Sequence, residues 1–244
     1  MFNPLPITGT KMEAPGIKTF TFDRPDTFQH QPGQYAWLRL EGSDPNHRVP
    51  IAIASGTLEP IIMFSIRAWG RLTQELFKLE VGDRVLVSGP QGNGFPTSDL
   101  PVLAVAGGTG ITPVRSLIHS LPSGKGQVKV YYGARTSNDF LYKEELEKWS
   151  VIRVVERPSD NEIHPTGYVT NFLRQTFLGD LSPNTALAFT CGPMPMMKAA
   201  IQVIQEKGFS AERIYVSLER LVNGEVVGPV LPASDPLVGF ELSN

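Results

Sequence analysis

Between residue 4 and about residue 87, short apolar runs alternate with clusters of Gly, Pro, Asp and Asn. In one run, Ala36 and Leu38 alternate with Trp37 and Arg39, as in a strand with two different faces. Strands are predicted at 17–22, 34–40, 50–54, 60–66 and 84–87. Many short, evenly spaced strands predict a small antiparallel β-barrel or sandwich. The one helical pattern in this half begins at Gly70.

After a linker at about 96–100, the pattern changes to alternating strands and helices. Strands are predicted at 102–106, 128–132, 151–155, 186–190 and 214–218, and helices up to 121 and at 141–149, 167–177 and 193–207. This alternation predicts an α/β domain with a doubly wound parallel sheet, whose ligands lie beyond the carboxyl ends of its strands. The predicted domains are a β-barrel at 1–97, an α/β domain at 98–222 and an extended tail at 223–244. We expect the proline-rich, apolar tail to pack as a strap or to dock on another chain.

The connection between the first strand of the α/β domain and its helix is rich in glycine. Gly107, Gly108 and Gly110 follow an apolar strand, and Pro113 stands where the first turn of a helix tolerates a missing N–H. Glycine permits positive φ and the close approach of another group. Because a helix N-terminus attracts phosphate, a dinucleotide pyrophosphate is the expected occupant. An ordinary tight connection remains the alternative, since the pattern Gly-x-Gly-x-x-Pro lacks the third glycine of a dinucleotide fingerprint.

Composition narrows the chemistry. The 244 residues carry a net charge of −2 with dispersed Lys and Arg, which argues against a nucleic-acid partner. Cys191 is the single cysteine, so we expect no internal disulfide and no iron–sulfur site held by cysteines alone. The four histidines lack ligand spacing, and no metal site is predicted. Neither an apolar run of membrane-spanning length nor a signal peptide is found, so we expect a cytoplasmic protein.

Three motifs follow one another along the α/β half. They are Gly107-Gly-Thr-Gly-Ile-Thr-Pro113, Tyr132-Gly-Ala-Arg-Thr136 and Cys191-Gly-Pro-Met-Pro-Met196. With the preceding β-barrel, they resemble the ferredoxin–NADP reductase superfamily over nearly the whole chain. Within it, the Cys191 motif followed by Val216-Ser-Leu-Glu-Arg220 looks most like the electron-transfer subunits of dihydroorotate dehydrogenase and related hydrogenases. The resemblance implies FAD between barrel and sheet, a nicotinamide nucleotide at the strand ends, and a protein electron acceptor or partner subunit.

The resemblance also implies site residues. In the family an Arg-x-Tyr/Ile-Ser segment lines the flavin, whereas this chain has Val49 and Ala52 at the Arg and Ser positions and Arg48 one position early. The residues expected to bind cofactors are Arg48, Pro50, Ile51, Ala52, Ile53, Arg67, Gly70, Leu72, Thr73, Gly107, Gly108, Thr109, Gly110, Ile111, Thr112, Pro113, Gly133, Arg135, Cys191, Gly192, Pro193 and Met194. Cys191 beside the nicotinamide and Glu219 beside the flavin are the expected catalytic residues. The alternatives are a small buried core residue and a surface ion pair, respectively.

The implied activity is that of an FAD-dependent NAD(P)H oxidoreductase that passes electrons to a downstream acceptor. Because the flavin-side Arg and Ser are missing, a degenerate, non-catalytic nucleotide-binding subunit remains the second hypothesis. The related subunits hold an iron–sulfur cluster in a cysteine-rich loop, where this chain has Gly224, Pro229 and Pro232 at three cysteine positions, so we expect no such cluster. Glu156 is suited to the free ribose hydroxyls of NAD, whereas Arg157 is suited to the 2′-phosphate of NADP, and we favour NADH.

Overall fold

The computed structural model describes residues 2–96, 99–121, 128–218, 221–222, 225–226, 230–236 and 238. The first seven strands are β1 Phe2–Pro6, β2 Gly9–Ala14, β3 Ile17–Asp23, β4 Tyr35–Leu40, β5 Val49–Ala52, β6 Ile61–Arg67 and β7 Arg84–Ser88. The later strands are β8 Val102–Gly107, β9 Val128–Ala134, β10 Val151–Val155, β11 Leu187–Cys191, β12 Ile214–Ser217, β13 Leu221–Val222, β14 Glu225–Val226 and β15 Val230–Pro232. The helices are α1 Arg71–Phe77, α2 Ile111–Ile118, α3 Lys143–Leu146, α4 Val169–Gln175 and α5 Met194–Glu206.

The first seven strands form two antiparallel sheets, with the orders β1-β7-β4-β5 and β2-β3-β6. Successive residues of a strand face opposite sides, so alternate side chains enter the barrel core. Phe20 and Phe22 of β3 pack there with Leu38, Ile62 and Phe64. The antiparallel architecture predicted for the first half of the chain is therefore confirmed.

Strands β1 and β2 are absent from the predicted elements. β1 has two prolines in five residues, and most residues of β2 are not apolar. Each of these strands lies at an edge of its sheet. An edge strand tolerates proline because one of its sides faces no neighbouring strand. Neither strand therefore carries the apolar alternation by which the others are recognised.

The α/β domain contains a six-stranded sheet of order β10-β9-β8-β11-β12-β15, in which β8 to β12 are parallel. α2 packs on one face, and α4 and α5 pack on the other. After β8 the chain adds β9 and β10 on one side, and then β11 and β12 on the other. The strand order thus reverses between β8 and β11, where ligands of open α/β sheets bind beyond the carboxyl ends. The predicted parallel-sheet domain is confirmed.

Two parts of the α/β half differ from expectation. The predicted helix at 141–149 is shortened to α3. It begins after Tyr142, which takes a left-handed φ of 56°, and beyond Leu146 the N–H groups of Lys148 and Trp149 bond three residues back, as in turns. Residues 230–232 of the tail pack on this chain, which is one of the two expected outcomes, but they do so as an unpredicted strand, β15, which pairs antiparallel with β12 and places Val230 in the core. The sheet is consequently mixed at one edge. Residues 223–224, 227–229, 237 and 239–244 of the tail, and 97–98 at the predicted domain boundary, lie outside the described residues.

A buried polar network joins the barrel to the sheet. The guanidinium of Arg115, on α2, donates to both carboxylate oxygens of Glu59 at 2.9 and 3.0 Å and to the Ala54 carbonyl at 2.9 Å. It also pairs with Glu145 at 2.9 Å, which in turn contacts the His119 ring at 2.8 Å. Burial acts to raise the pKa of both carboxyls. Hydrogen bonds from Arg115 and the Gly56 N–H hold the pKa of Glu59 below its ordinary value, and contacts with His119 and Arg115 do the same for Glu145. This network fixes the barrel against α2 and α3.

Candidate functional site

The carboxyl ends of β8, β9 and β11 face β5 and β6 of the barrel across a cleft. One part, the sheet cavity, has a volume of about 560 Å³, and its lining includes Gly133, Arg135, Glu156, Tyr168, Pro195 and Met196. The other part, the barrel cavity, has a volume of about 570 Å³, and its lining includes Val49, Pro50, Ile51, Ala52, Ser65, Thr109, Thr112, Cys191 and Ser217. Both cavities are lined by Arg67, Gly107, Gly108 and Pro193, so they form one continuous cleft. Each is large enough for a small-molecule ligand.

The glycine turn lies where the two cavities join. Gly108–Gly110 form one turn of 3₁₀-helix between β8 and α2, and Gly108 has a φ of +54°, which favours glycine. The Tyr132 phenol donates to the Gly108 carbonyl at 3.0 Å and accepts the Leu141 N–H at 3.2 Å. Burial raises the pKa of Tyr132, so the phenol remains a donor. Tyr132 is thus a support of the turn that sequence reasoning missed, although it begins one of the three motifs.

For Gly107 and Gly110, the reasons given by the sequence, positive φ and close approach of a ligand, are incomplete. Neither has positive φ, with values of −134° at Gly107 and −62° at Gly110. A Cβ on Gly110 would overlap the backbone carbonyl of Cys191, and one on Gly107 would lie 2.5 Å from the Met196 sulfur. Glycine is therefore required at position 110 by packing against the end of β11, whereas at position 107 the neighbour is the flexible Met196 side chain of α5. A larger residue at position 110 would disturb the fold before it met any ligand.

Strand β5 is the edge of its sheet and borders the barrel cavity. The Ile53 N–H donates to the Gln34 carbonyl, on the β4 side. Hydrogen-bonding direction alternates along a strand, so the Ala52 N–H and the Pro50 carbonyl point away from β4. Pro50 has no N–H to leave unpaired at this edge. The edge therefore offers a ligand main-chain hydrogen bonds that do not depend on side-chain identity.

The side chains of Cys191, Ser217 and Ser65 line the barrel cavity from three strands. Cys191 ends β11, Ser217 ends the neighbouring β12, and Ser65 lies in β6 of the barrel. All three residues are buried. Sequence reasoning missed Ser65 and Ser217 as site residues. The available signals were a polar residue within the apolar strand 61–67 and the place of Ser217 in the Val216–Arg220 motif.

Most of the predicted cofactor-binding residues lie at the cleft. Those that line one or both cavities are Pro50, Ile51, Ala52, Arg67, Gly107, Gly108, Thr109, Gly110, Thr112, Gly133, Arg135, Cys191, Gly192, Pro193 and Met194. Ile111 and Pro113 are buried in α2, directly after the glycine turn. Glu219 lies outside the described residues.

The remaining predicted residues do not line either cavity. The Arg48 guanidinium stacks on the Trp37 ring at 4.6 Å, and Ile53 is buried in the barrel core. Gly70, Leu72 and Thr73 form the start of α1, where Leu72 is buried and the Thr73 hydroxyl accepts the Gly70 N–H at 2.9 Å. Because α1 uses Thr73 to cap its own N-terminus, a phosphate contact at this hydroxyl would require a change of partner.

Among the residues that the structure describes, no group of three or more His, Cys, Asp or Glu side chains is arranged to hold a metal ion. In the same part of the chain, no helix has both the length and the apolar character needed to cross a bilayer.

Comparison with known proteins agrees with this architecture. The family model described as "Oxidoreductase NAD-binding domain" matches residues 104–202. The chain is 30% identical over 218 residues to the "Sulfhydrogenase 2 subunit gamma" of Pyrococcus furiosus, which covers 80% of this chain and 74% of that protein. It is also 30% identical over 208 residues to a "Probable dihydroorotate dehydrogenase B (NAD(+)), electron transfer subunit" of Methanocaldococcus jannaschii, which covers 85% of this chain and 74% of that protein.

Solved structures share the fold. A ferredoxin NADP+ reductase from Neisseria gonorrhoeae, solved with bound FAD and NADP, matches with a TM-score of 0.76 and 17% identity, over 88% of this chain and 97% of that one. The fold, the cleft at the point of strand-order reversal, and the sequence identity over most of the length all indicate the same family. The chain belongs to the ferredoxin–NADP reductase superfamily and is an NAD(P)H-dependent flavin oxidoreductase.

Proposed function

We propose that this protein takes electrons from NADH, holds FAD in the barrel cavity, and passes the electrons to a partner protein. The single observation that carries the proposal is the junction of the two cavities at Arg67, Gly107, Gly108 and Pro193. Ligands that filled both cavities would meet at this junction. Positioning two cofactors in contact is the main task of the protein in hydride transfer, because the cofactors carry the chemistry.

The barrel cavity has a donor set that fits a flavin ring. The Ala52 N–H and the Pro50 carbonyl point toward the open edge of β5, and Thr109 and Ser65 add hydroxyl groups. A flavin ring carries both acceptors and donors on its edge, so this mixture of groups matches it. The chemistry that bound FAD would supply is to accept a hydride and then to release its electrons. Main-chain contacts explain how binding could persist with Val49 and Ala52 at the family's Arg and Ser positions.

We propose that Arg67 supplies the positive charge that binds the FAD pyrophosphate. Arg67 is exposed at the end of β6, and its guanidinium lies 3.6 Å from where a Cβ on Gly108 would stand. Arg48 is less suited, because its guanidinium stacks on Trp37. An exposed charge-assisted contact to phosphate is partly screened by salt. We therefore expect FAD binding to weaken with ionic strength, and Arg67→Met to weaken it further, whereas Arg84→Met, at an exposed ion pair with Glu41, should not.

The sheet cavity is proposed to bind the nicotinamide nucleotide. Its lining contains the glycine turn, which we assign to the pyrophosphate, and Arg135, which we assign to a phosphate or ribose of the adenosine half. Glu156 also lines it, and a carboxylate near the adenine ribose favours the free hydroxyls of NAD over the 2′-phosphate of NADP. This supports NADH. The nicotinamide end would extend past the junction into the barrel cavity, where Cys191 would pack against it and orient it without forming a bond.

The electron route beyond the flavin is proposed to use no iron–sulfur cluster in this chain, because Cys191 is its one cysteine. Electrons would leave the flavin directly for a partner protein. We place the enzyme in the cytoplasm, where a protein with a single thiol and no disulfide is common.

The colour of the purified protein tests the proposal against a non-catalytic nucleotide-binding subunit. The protein is purified, its visible spectrum is recorded before and after reconstitution with FAD, and NADH or NADPH is added without oxygen. We expect flavin absorbance that NADH bleaches faster than NADPH does. A protein that stays colourless after reconstitution, or whose bound flavin neither nucleotide reduces, would favour the non-catalytic subunit.

A further inference from the structure

A chain of four hydroxyl groups crosses from the barrel to the α/β domain beside the barrel cavity. The hydroxyl oxygens of Thr19 and Ser65 are 2.6 Å apart, and Ser65 Oγ is 2.6 Å from the phenol oxygen of Tyr142. That phenol oxygen lies 3.4 Å from the Thr112 hydroxyl. Ser65 and Thr112 line the barrel cavity, whereas Tyr142 stands behind them. Tyr142 therefore links two cavity-lining hydroxyls that come from different domains.

Tyr142 is held in place by several groups. Its backbone has a φ of 56°, the one positive value at a non-glycine residue in the described part of the chain. Its N–H donates to Glu13 Oε2 at 2.9 Å, and the Arg115 guanidinium lies 5.5 Å from its ring centre. A left-handed conformation at a residue with a side chain is strained and persists only where the surroundings enforce it. Such an enforced conformation points to a function for the placement of Tyr142.

The phenol of Tyr142 acts as a neutral donor or acceptor. Burial raises its pKa to about 12, so it keeps its proton at neutral pH. Ser65 has one donor and two acceptor positions, of which the contacts to Thr19 and Tyr142 occupy two. One hydrogen-bonding position of Ser65 remains for a group in the cavity. The contacts to Thr19 and Tyr142 restrict the rotation of the Ser65 hydroxyl and so determine which position remains.

Ser65 also lies beside the open edge of β5. The bridge between Ile53 and Phe64 is antiparallel, which brings Ala52 and Ser65 next to each other across the two strands. The Ala52 N–H points toward this gap because it faces away from β4. A ligand edge that enters the gap would meet a main-chain donor from β5 and a hydroxyl from β6.

We propose that Tyr142 is a positioning residue for the flavin ring, which it serves by orienting the Ser65 hydroxyl toward the barrel cavity. The inference rests on the proposed function, since it assumes that the flavin occupies this cavity. Tyr142 does not line the cavity itself. It joins the barrel wall to the sheet wall, so that the hydroxyl contact depends on both domains being in place.

The test compares Tyr142→Phe with Ser65→Ala, with their double variant, and with Tyr131→Phe as a matched control. Tyr131 is also fully buried in β9, but it packs in the core on the opposite face of the sheet. Apoprotein of each is titrated with FAD, and the dissociation constant, the visible spectrum of bound FAD and the melting temperature are measured. Tyr142→Phe and Ser65→Ala should each raise the FAD dissociation constant roughly five- to tenfold, about 1–1.4 kcal/mol, and shift the flavin spectrum.

The double variant should bind FAD about as weakly as either single variant, because both changes disable the same contact. Tyr131→Phe should bind FAD like the unaltered chain. Wild-type FAD affinity and spectrum in Tyr142→Phe, even with a lower melting temperature, would show a purely structural role and overturn the inference. Additive losses in the double variant would also overturn it. Absence of FAD binding by the unaltered chain would instead refute the proposed function, and this inference with it.

Discussion

Replacing Arg115 with methionine tests whether the polar network holds the barrel on the sheet. Methionine keeps the unbranched apolar stem but removes the donors to Ala54, Glu59 and Glu145. The Arg115 side chain is 4% exposed, whereas those of Glu59 and Glu145 are 19% and 30% exposed. The variant therefore leaves two half-buried carboxylates near each other without their shared cation.

The expected loss follows from this burial. Removing one partner of a buried ion pair costs about 3–5 kcal/mol. Because the two carboxylates can regain water, we reduce this to about 2–4 kcal/mol. For a chain of this length, each kcal/mol lowers the melting temperature by about 2–4 °C, so a fall of roughly 5–15 °C is expected. Differential scanning calorimetry of the apoprotein at neutral pH measures it.

The pH dependence gives a second readout. The pKa values of Glu59 and Glu145 lie below the ordinary 4.5, so these carboxyls stabilise the fold above that pH. Their contribution is lost as the pH falls below 4.5 through the lowered values. The difference between Arg115→Met and the unaltered chain should thus be full at pH 7 and shrink below pH 4.5.

Arg174→Met is the matched control, because Arg174 pairs with Glu206 at 2.8 Å on the surface, where both side chains are more than 40% exposed. It should leave the melting temperature nearly unchanged. If Arg115→Met melts like the control, or if the difference between variant and unaltered chain persists undiminished below pH 4.5, the assigned role of the network is refuted.

Three further changes test other parts of the structure. Gly110→Ala should destabilise the fold by about 1–3 kcal/mol in thermal melts, because its Cβ would overlap the Cys191 carbonyl. Gly89→Ala, with open space around the new Cβ, should not, and equal melting temperatures of the two variants would contradict the packing argument. Glu156→Arg should lower the NADH-to-NADPH ratio of kcat/KM for flavin reduction at least tenfold, and an unchanged ratio would remove Glu156 from the cofactor choice. Removing residues 224–244 should lower the melting temperature by several degrees, because it deletes β15 and the buried Val230; unchanged melting and unchanged association would mean that the tail is dispensable.

The fold was largely predictable because most of its strands and helices are indicated by local patterns of apolar and polar residues. Buried parallel strands appear as uninterrupted apolar runs, and the predicted bounds of β10 agree with the observed Val151–Val155. The failures are elements specified by distant partners. β1 is defined by pairing with β7, and the start of α3 by burial of Tyr142 against the barrel. Local patterns do not record contacts between residues far apart in sequence.

The candidate site was predictable where glycine and strand ends mark it, and less so in the barrel. Gly107 and Gly108 of the turn line both cavities as the motif suggests, yet the support of the turn by Tyr132 depends on a contact across 24 residues. In the barrel, the family pattern directs attention to side chains at positions 49 and 52. The structure instead offers main-chain groups of β5 and the hydroxyl of Ser65. Residues 50–53 were predicted to contact the cofactor, and main-chain contacts there do not depend on the missing side chains. Ser65 was missed because its place beside Ala52 depends on the pairing of β5 with β6.

Neither domain contains the cleft alone, so cofactor binding and domain docking must be linked thermodynamically. Arg67 and Ser65 come from the barrel, whereas Gly108 and Cys191 come from the sheet. A ligand that contacts both walls binds only the docked arrangement, and at 100 times its dissociation constant it would stabilise that arrangement by about 2.7 kcal/mol. This is similar in size to the loss expected for Arg115→Met. Bound FAD should therefore restore much of the stability of that variant. The variant should in turn bind FAD more weakly, because part of the free energy of FAD binding is then used to dock the two domains.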